Sequence, residues 1–209
     1  KFPVRDDKGK LAQYAGLAKT YFVIWTTTPW TIPGNMAICV NAGLDYVLLQ
    51  APNGEVYILA QALAEGVCKA AGIDYAASKV LATLKGEEFE LMTAKHPLFD
   101  RDSVLLCGDH VTLDAGTGCV HTAPGFGADD FNICRQYDSA GLTNIGTPVP
   151  VNAKGVMTDE RYNGRYYAEA NEAVPGDLEA AGALLASEDI THSYPHCWRC
   201  KHPIIYRAT

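Results

Sequence analysis

The feature that most restricts the fold of this chain is its succession of short apolar runs, separated by glycine, proline and asparagine. Runs of roughly four to eight residues that are rich in β-branched and aromatic side chains favour strands. Such runs occupy residues 20–27, 36–40, 45–50, 55–60, 79–84, 88–93, 103–107, 118–122, 183–187 and 203–207. The turn residues of Pro52-Asn53-Gly54 and Lys85-Gly86 predict hairpins, because asparagine and glycine tolerate positive φ.

Three segments have helical character. Residues 61–71 are followed by Gly72, a residue that commonly ends helices, and a short helix is expected over 129–137. A third helix is expected over 168–182, where Pro175 should kink or split it. Many short strands with few helices predict a β-rich mixed α/β fold, with a β-barrel core and peripheral helices.

Composition indicates an ordinary globular domain: 48% of the residues are hydrophobic and 20% are charged. We expect one domain over residues 1–209, cut from a longer protein, with no membrane span and no signal peptide. The net charge of −7 argues against broad RNA binding by this chain alone. Seven scattered cysteines indicate reduced, mostly buried thiols in a cytoplasmic protein.

A threonine-rich segment follows the first long apolar run. It reads WTTTPWTIPGN and contains Thr26, Thr27, Thr28 and Thr31. One interpretation is structural, since threonine favours strands and proline ends them. The other is a polar lip at a strand end, because hydroxyl groups both donate and accept hydrogen bonds and suit an ester, a ribose or a water.

A glycine-rich segment, residues 108–130, leads into the second predicted helix. Phosphate binding there is weakly supported, since no Walker lysine is present. Asp129 and Asp130 suit a helix start, where carboxylates complement the dipole, but Asp130 is also a candidate for holding a substrate ammonium group. His121 is either a satisfied core histidine or a residue that lines a site.

A third segment, residues 192–202, contains Cys197 and Cys200 in a C-x-x-C arrangement, with His196 and His202 nearby. Two thiolates do not complete a structural zinc site without a second knuckle, and none is present in the sequence. A redox role is less supported still, because no thioredoxin-like βαβ unit surrounds the pair. We therefore predict no metal site, although a small zinc-bearing structural module stays a possible alternative.

The peptides WTTTPWTIPGN, GDHVTLDAGTGCVHTAPGFGADD and HSYPHCWRCKHPIIYRAT together resemble the editing insertion, or connective peptide 1, of isoleucyl-tRNA synthetases. Valyl and leucyl relatives are expected to carry Thr-Thr-Arg-Pro at residues 27–30. The motifs of the synthetic core, of the HIGH and KMSKS types, are absent. The resemblance implies two groups of site residues. The catalytic group comprises Asp130, Thr26, Thr27 and Thr28, and the substrate-binding group comprises Thr31, Asn35, His121, His192 and Tyr194.

One position departs from the family pattern. Many bacterial members carry histidine between the two glycines of HTAPGHG, where this chain has Phe126. We expect Phe126 to contribute packing and no chemistry.

The implied function is hydrolysis of the aminoacyl ester of Val-tRNA(Ile) by a positioned water, with isoleucine excluded by size. Valyl-adenylate is a further possible substrate. The expected partners are the 3′ end of tRNA(Ile) and the rest of the synthetase, and the expected state is a monomer. No cofactor is expected in this domain, since ATP and Mg²⁺ belong to the absent synthetic domain. The alternatives are a valyl-type domain that acts on Thr-tRNA and a passive tRNA-docking insertion.

Overall fold

A computed structural model describes residues 1–191 and 193–209. Within these ranges the chain forms nine strands, three α-helices and four short 3₁₀ turns. The strands are β1 Phe2–Asp6, β2 Thr20–Phe22, β3 Ala37–Val40, β4 Asp45–Gln50, β5 Val56–Ala60, β6 Lys79–Lys85, β7 Thr93–Lys95, β8 Asp102–Cys107 and β9 Val120–Thr122. The helices are α1 Ala64–Ala70, α2 Ala128–Ser139 and α3 Tyr167–Ala180, and the turns are Leu17–Lys19, Pro29–Gly34, Gln61–Leu63 and Gly86–Phe89.

The strands form one mixed sheet in the order β6-β4-β5-β2-β1-β7-β8-β3-β9. The pairs β2–β5 and β3–β8 are parallel, and the other pairs are antiparallel. The β-rich mixed α/β class is therefore confirmed, but the predicted barrel does not close. A single bridge, Trp25 to Val120, joins β9 to the chain beyond β2. The ladder does not extend because Pro29 starts a 3₁₀ turn shortly after Trp25.

Burial on both sides of the sheet explains the unbroken apolar character of its central strands. All five residues of β5 are buried. On one side, Phe22 and Tyr46 pack edge-on against Phe89, each with ring centroids 5.6 Å apart. Near the opposite end of the sheet, α2 packs through Ile133, Cys134 and Tyr137 against β3 and β8. No helix in the described part of the chain has the length and apolarity that a membrane crossing requires.

Four sequence expectations about local structure are wrong. The run at 88–93 is no strand, since a 3₁₀ turn occupies Gly86–Phe89 and β7 begins only at Thr93. The hairpin at Lys85-Gly86 does not form: β6 pairs with β4, whereas β7 pairs with β1 and β8. The chain diverges there because Gly86 packs against the loop before β4, where an added Cβ would lie 2.0 Å from the Asn41 carbonyl oxygen. Residues 183–187 and 203–207 form no strand, apart from one bridge at Pro203.

Helix α3 runs through Pro175 as one element, so the proline does not split the helix, and the alternative of a kink stays a prediction. Val174 and Leu178 are buried with Trp30 and Ile32 of the Pro29–Gly34 turn. This packing spans the proline and offsets the hydrogen bond that the proline cannot donate.

The sheet brings the threonine-rich and glycine-rich segments together. The Pro29–Gly34 turn leads into β3, and β9 pairs antiparallel with β3, with Ile38 opposite His121. Gly34 lies under Phe126, since an added Cβ would meet its ring at 2.5 Å. The two segments therefore share one end of the sheet.

Gly118, in the turn before β9, should tolerate substitution by alanine less well than Gly54. Gly118 has φ +78°, and an added Cβ would lie 2.4 Å from the Ala60 Cβ, whereas Gly54 has φ +84° and open space around it. Gly54→Ala should lower the free energy of unfolding by about 1 kcal/mol, because of the left-handed backbone alone. Gly118→Ala should lower it by about 1–3 kcal/mol more, because the added methyl group overpacks the site. Urea unfolding of both variants measures the difference. Equal losses would contradict this account of how β9 is positioned.

Candidate active site

The threonine-rich segment folds so that three hydroxyl groups lie in a row. The Thr28 amide donates to the Thr26 hydroxyl at 3.0 Å, and the Thr31 hydroxyl donates to the Thr28 carbonyl at 2.8 Å. Consecutive hydroxyl oxygens then lie 3.4 Å apart, between Thr26 and Thr28, and 3.5 Å apart, between Thr28 and Thr31. These two contacts are long for O–H···O hydrogen bonds, so the hydroxyls of Thr26 and Thr28 are weakly held and well suited to a ligand.

His121 of β9 supports this row from behind. Its Nε2 lies 3.0 Å from the Thr31 hydroxyl, and its Nδ1 lies 2.8 Å from the Asn35 amide nitrogen. The same amide nitrogen donates to the Ala37 carbonyl, a pure acceptor, which fixes the orientation of the amide. Nδ1 therefore accepts a hydrogen bond, and the ring proton is on Nε2. In this tautomer His121 donates to Thr31.

Burial keeps His121 uncharged. Desolvation lowers the pKa of His121 to about 4, because the charged imidazolium loses its hydration. His96, which contacts the Ile32 carbonyl on the other side of the Pro29–Gly34 turn, has its pKa lowered to about 3 by the same cause. Neither ring is protonated near neutral pH, so His121 supplies hydrogen-bond direction and no charge.

Asn35 lies behind His121 and not on the pocket surface. It is 0% exposed, and its side-chain oxygen accepts a hydrogen bond from Ser103 of β8 at 2.5 Å. The Arg101 side chain also donates to the Asn35 backbone carbonyl at 3.1 Å. Asn35 therefore reaches the hydroxyl row through His121, and its expected substrate-binding role stays a prediction.

Asp130 lies in the first turn of α2, which has no side-chain cap. Its carboxylate accepts a hydrogen bond from the Ala123 amide at 2.7 Å, two residues after His121 in the chain. Burial raises the pKa of Asp130, and the Ala123 amide and the nearby His110 oppose that rise. Gly127 allows the close approach, since an added Cβ would lie 3.2 Å from the carboxylate.

No lysine or arginine within the described ranges forms an ion pair with Asp130. A partly buried carboxylate without such a partner is stabilised by an incoming cation. An ammonium group on a ligand fits this requirement.

A cavity of about 800 Å³ opens beside the row of hydroxyls. Thr26 and Thr27 line it together with the exposed face of Trp25. Its other walls come from α1, α3 and residues 183–190, which are mostly apolar there. Thr28, Thr31, His121 and Asp130 lie outside this lining, so the cavity meets the row of hydroxyls only at Thr26.

The structure thus joins some of the predicted site residues more closely than others. Contacts link Thr26, Thr28, Thr31, His121 and Asn35 directly. Asp130 is joined to them through the β9 segment, and Thr27 faces the cavity.

The C-terminal segment contacts the glycine-rich loop. His192 lies outside the described residues. Tyr194 lies beside His196, with ring centroids 6.2 Å apart, and burial raises the pKa of its hydroxyl. The Ala208 amide donates to the Gly125 carbonyl, which ties this segment to the glycine-rich loop.

The C-x-x-C pair forms a tight turn. The Lys201 amide donates to the Cys197 carbonyl, and the Cys197 amide donates to the His202 carbonyl. Hydrogen bonds from the backbone of Cys200 and Arg199 lower the pKa of the Cys197 thiol. In the described part of the chain, no three His, Cys, Asp or Glu side chains are grouped to hold a metal ion.

Phe126 packs as expected. Its ring lies edge-on to Trp30, with centroids 4.9 Å apart, and it belongs to the cluster that includes α3. The prediction of a packing role for this departure from the family is confirmed.

Sequence reasoning missed Ser103. It stands in an apolar strand, and only the parallel pairing of β3 with β8 brings it to Asn35. A single buried serine leaves no recognisable pattern in one sequence.

The two buried histidines predict how stability depends on pH. Both folded pKa values lie below the ordinary 6.5, so the unfolded chain binds more protons between about pH 4 and 6.5. Stability should therefore fall as pH is lowered through this window, by about 1.4 kcal/mol per pH unit for each ring. We expect chemical unfolding of His121→Gln at about pH 5 and 6 to show a smaller change of the unfolding free energy with pH, reduced by that amount.

The exposed His202 provides the matched control, because solvent surrounds its ring in both states. His202→Gln should leave the slope as it is. If His121→Gln left the pH dependence of stability unchanged, the His121 ring would not be buried and neutral.

Known proteins resemble this chain in sequence and in fold. No protein-family model matches the chain. The chain is 53% identical over its whole length to the isoleucine–tRNA ligase of Caldanaerobacter subterraneus subsp. tengcongensis, of which it covers 22%. It is 51% identical to that of Geobacillus thermodenitrificans and 50% identical to that of Syntrophomonas wolfei, again over all of this chain and 21% of each relative. The chain therefore spans about a fifth of the length of these relatives.

Two solved structures share the fold at low sequence identity. The Plasmodium falciparum cytosolic leucyl-tRNA synthetase editing domain superposes with a TM-score of 0.66 at 14% identity, covering 87% of this chain and 85% of that one. The structure of GlLeuRS-CP1 gives a TM-score of 0.66 at 17% identity, covering 82% and 85%. The chain is thus homologous over its whole length to one segment of isoleucine–tRNA ligases, and it has the fold of the synthetase CP1 editing domain.

Proposed function

We propose that this chain is a hydrolytic editing domain that cleaves the ester between valine and the 3′-terminal adenosine of tRNA(Ile). The observation that carries the proposal is the row of threonine hydroxyls held by His121, with the Asp130 carboxylate bound to the same β9 segment. Hydroxyl groups and a carboxylate suit an α-amino ester, which has an ammonium group next to a carbonyl.

The need for such a site is energetic. One methylene separates isoleucine from valine, and a hydrophobic pocket gains only roughly 1–3 kcal/mol from it, a limit for which isoleucyl-tRNA synthetase is itself the standard example. A second site that admits the smaller amino acid and destroys its ester removes the error. Isoleucine is then excluded by size.

Each group has a role in this proposal. Asp130 binds the α-ammonium group, and Thr31 with His121 forms the wall that limits the side chain. The hydroxyls of Thr26 and Thr28, with Thr27 at the cavity edge, orient the water and stabilise the developing oxyanion.

The nucleophile is water and not a protein side chain. Water adds to the ester carbonyl, the bond to the ribose oxygen breaks, and that oxygen takes up a proton, so valine and free tRNA result. Burial raises the pKa of the Cys39 thiol to about 12 and that of the Cys134 thiol to about 12, which leaves both un-ionised near pH 7. Since His121 is held as a donor, catalysis rests on positioning the reactants.

The remaining synthetase delivers the tRNA end in this proposal. A net charge of −7 gives this chain little attraction for a phosphate backbone. The site works in the cytoplasm as part of a monomer, accepts valyl-adenylate as a smaller substrate, and needs no cofactor of its own. Tyr194 binds the substrate in this proposal, His192 stays a predicted substrate-binding residue, and ATP and Mg²⁺ serve the synthetic domain alone.

Substitution of Asp130 tests the ammonium contact. Asp130→Asn keeps the shape but loses the charge, so deacylation of Val-tRNA(Ile) should slow about ten- to a hundredfold, the value of a hydrogen bond to a charged group. The matched control is Asp129→Asn, since Asp129 is exposed one residue earlier in α2. An equal effect of both substitutions would assign the loss to the helix and not to the substrate.

A smaller residue at position 31 tests the size limit. Thr31→Ser keeps the hydroxyl that contacts His121 and removes one methyl group. Hydrolysis of Ile-tRNA(Ile) should rise relative to Val-tRNA(Ile) by at least about tenfold, since a methylene corresponds to roughly 1–3 kcal/mol. Deacylation assays on both esters give this ratio.

The same assays address the rival functions. A ratio that Thr31→Ser does not change would place the wall elsewhere. Hydrolysis of Thr-tRNA(Val) but not of Val-tRNA(Ile) would support a valyl-type domain, and no hydrolysis by the unmodified protein would support passive docking.

A further inference from the structure

A one-way chain of hydrogen bonds runs from β8 to the row of threonines. Ser103 donates to the Asn35 side-chain oxygen, and the Asn35 amide donates to His121 Nδ1. His121 Nε2–H then donates to Thr31. The Thr31 hydroxyl in turn donates to the Thr28 carbonyl, where the chain ends.

Each direction in this chain is imposed by the group before it. The Asn35 amide cannot turn over, because its oxygen would then face the Ala37 carbonyl. Both Asn35 and Ser103 are 0% exposed, so no solvent replaces either partner. The arrangement is fully satisfied, and a buried polar network of that kind holds one orientation.

We propose that Ser103 and Asn35 are positioning residues for the proposed editing reaction, which hold His121 in its Nε2–H tautomer. The consequence reaches the substrate side. With its proton committed to the Thr28 carbonyl, the Thr31 hydroxyl can only accept a hydrogen bond from the threonine row. The neighbouring Thr28 hydroxyl, 3.5 Å away, receives no proton from Thr31, so its own proton is directed either to Thr31 or to a ligand. The opposite tautomer would draw the Thr31 proton to His121 and release the Thr28 carbonyl.

Asn35→Asp keeps the size of the side chain and reverses the second link, that to His121, and it also sets an oxygen against the Ala37 carbonyl. A carboxylate only accepts, so His121 must carry its proton on Nδ1. Nitrogen NMR of the His121 ring reports the protonated nitrogen directly, without substrate. We expect Nε2 to be protonated in the unmodified protein and Nδ1 in Asn35→Asp, with kcat for Val-tRNA(Ile) lowered at least tenfold and KM changed less than threefold.

Ser103→Ala provides a second variant, which introduces no buried charge. It should give a smaller loss of kcat, about three- to tenfold, with mixed protonation of the His121 ring. Its matched control is Thr20→Val on β2. The Thr20 hydroxyl is also fully buried and donates to a carbonyl, that of Gly16. Thr20→Val should lower stability as much and leave kcat and the His121 signals unchanged.

Protonated Nδ1 in the unmodified protein would overturn the proposal, and so would equal effects of Ser103→Ala and Thr20→Val on kcat. Because the NMR signals need no substrate, a correct tautomer in a protein without deacylase activity would refute the proposed function and leave the hydrogen-bond assignment standing.

Discussion

The hydrogen bond between Thr31 and His121 is the contact on which the rest of the site depends. It joins residues that are 90 positions apart in the chain. Only the antiparallel pairing of β3 and β9 brings them within reach, because β3 follows directly after the threonine-rich turn. Loss of this bond would leave a buried imidazole N–H without a partner and the threonine row without its support.

Burial makes the histidines of the site neutral, and the site's carboxylate lies at the start of α2. Burial holds His121 and His96 uncharged, whereas Asp130 stays at the partly exposed start of α2. An ammonium ester bound as proposed would meet one carboxylate and several neutral hydrogen-bonding groups. This division suits hydrolysis by a positioned water, because the fixed dipoles need little reorganisation as charge develops.

The sequence was informative where chemistry is concentrated in short peptides. The β-rich class, most strands and the closeness of Thr28, Thr31 and His121 follow from segments that the sequence already marks. Local patterns failed where distant packing decides the structure. The turn at Gly86 depends on the loop at Asn41, and the continuity of α3 through Pro175 depends on its contact with the Pro29–Gly34 turn. Ser103 could not be predicted, because its role exists only through the neighbouring strand.

The central claim is that the threonine row, His121 and Asp130 form one binding site for an α-amino ester. A crystal structure of the protein with a non-hydrolysable valyl-adenosine analogue tests it most directly. The account predicts the analogue's ammonium group within hydrogen-bond distance of the Asp130 carboxylate and its carbonyl beside the Thr26 and Thr28 hydroxyls. An analogue held only among the apolar walls of the 800 Å³ cavity, with no contact to Asp130, would contradict it.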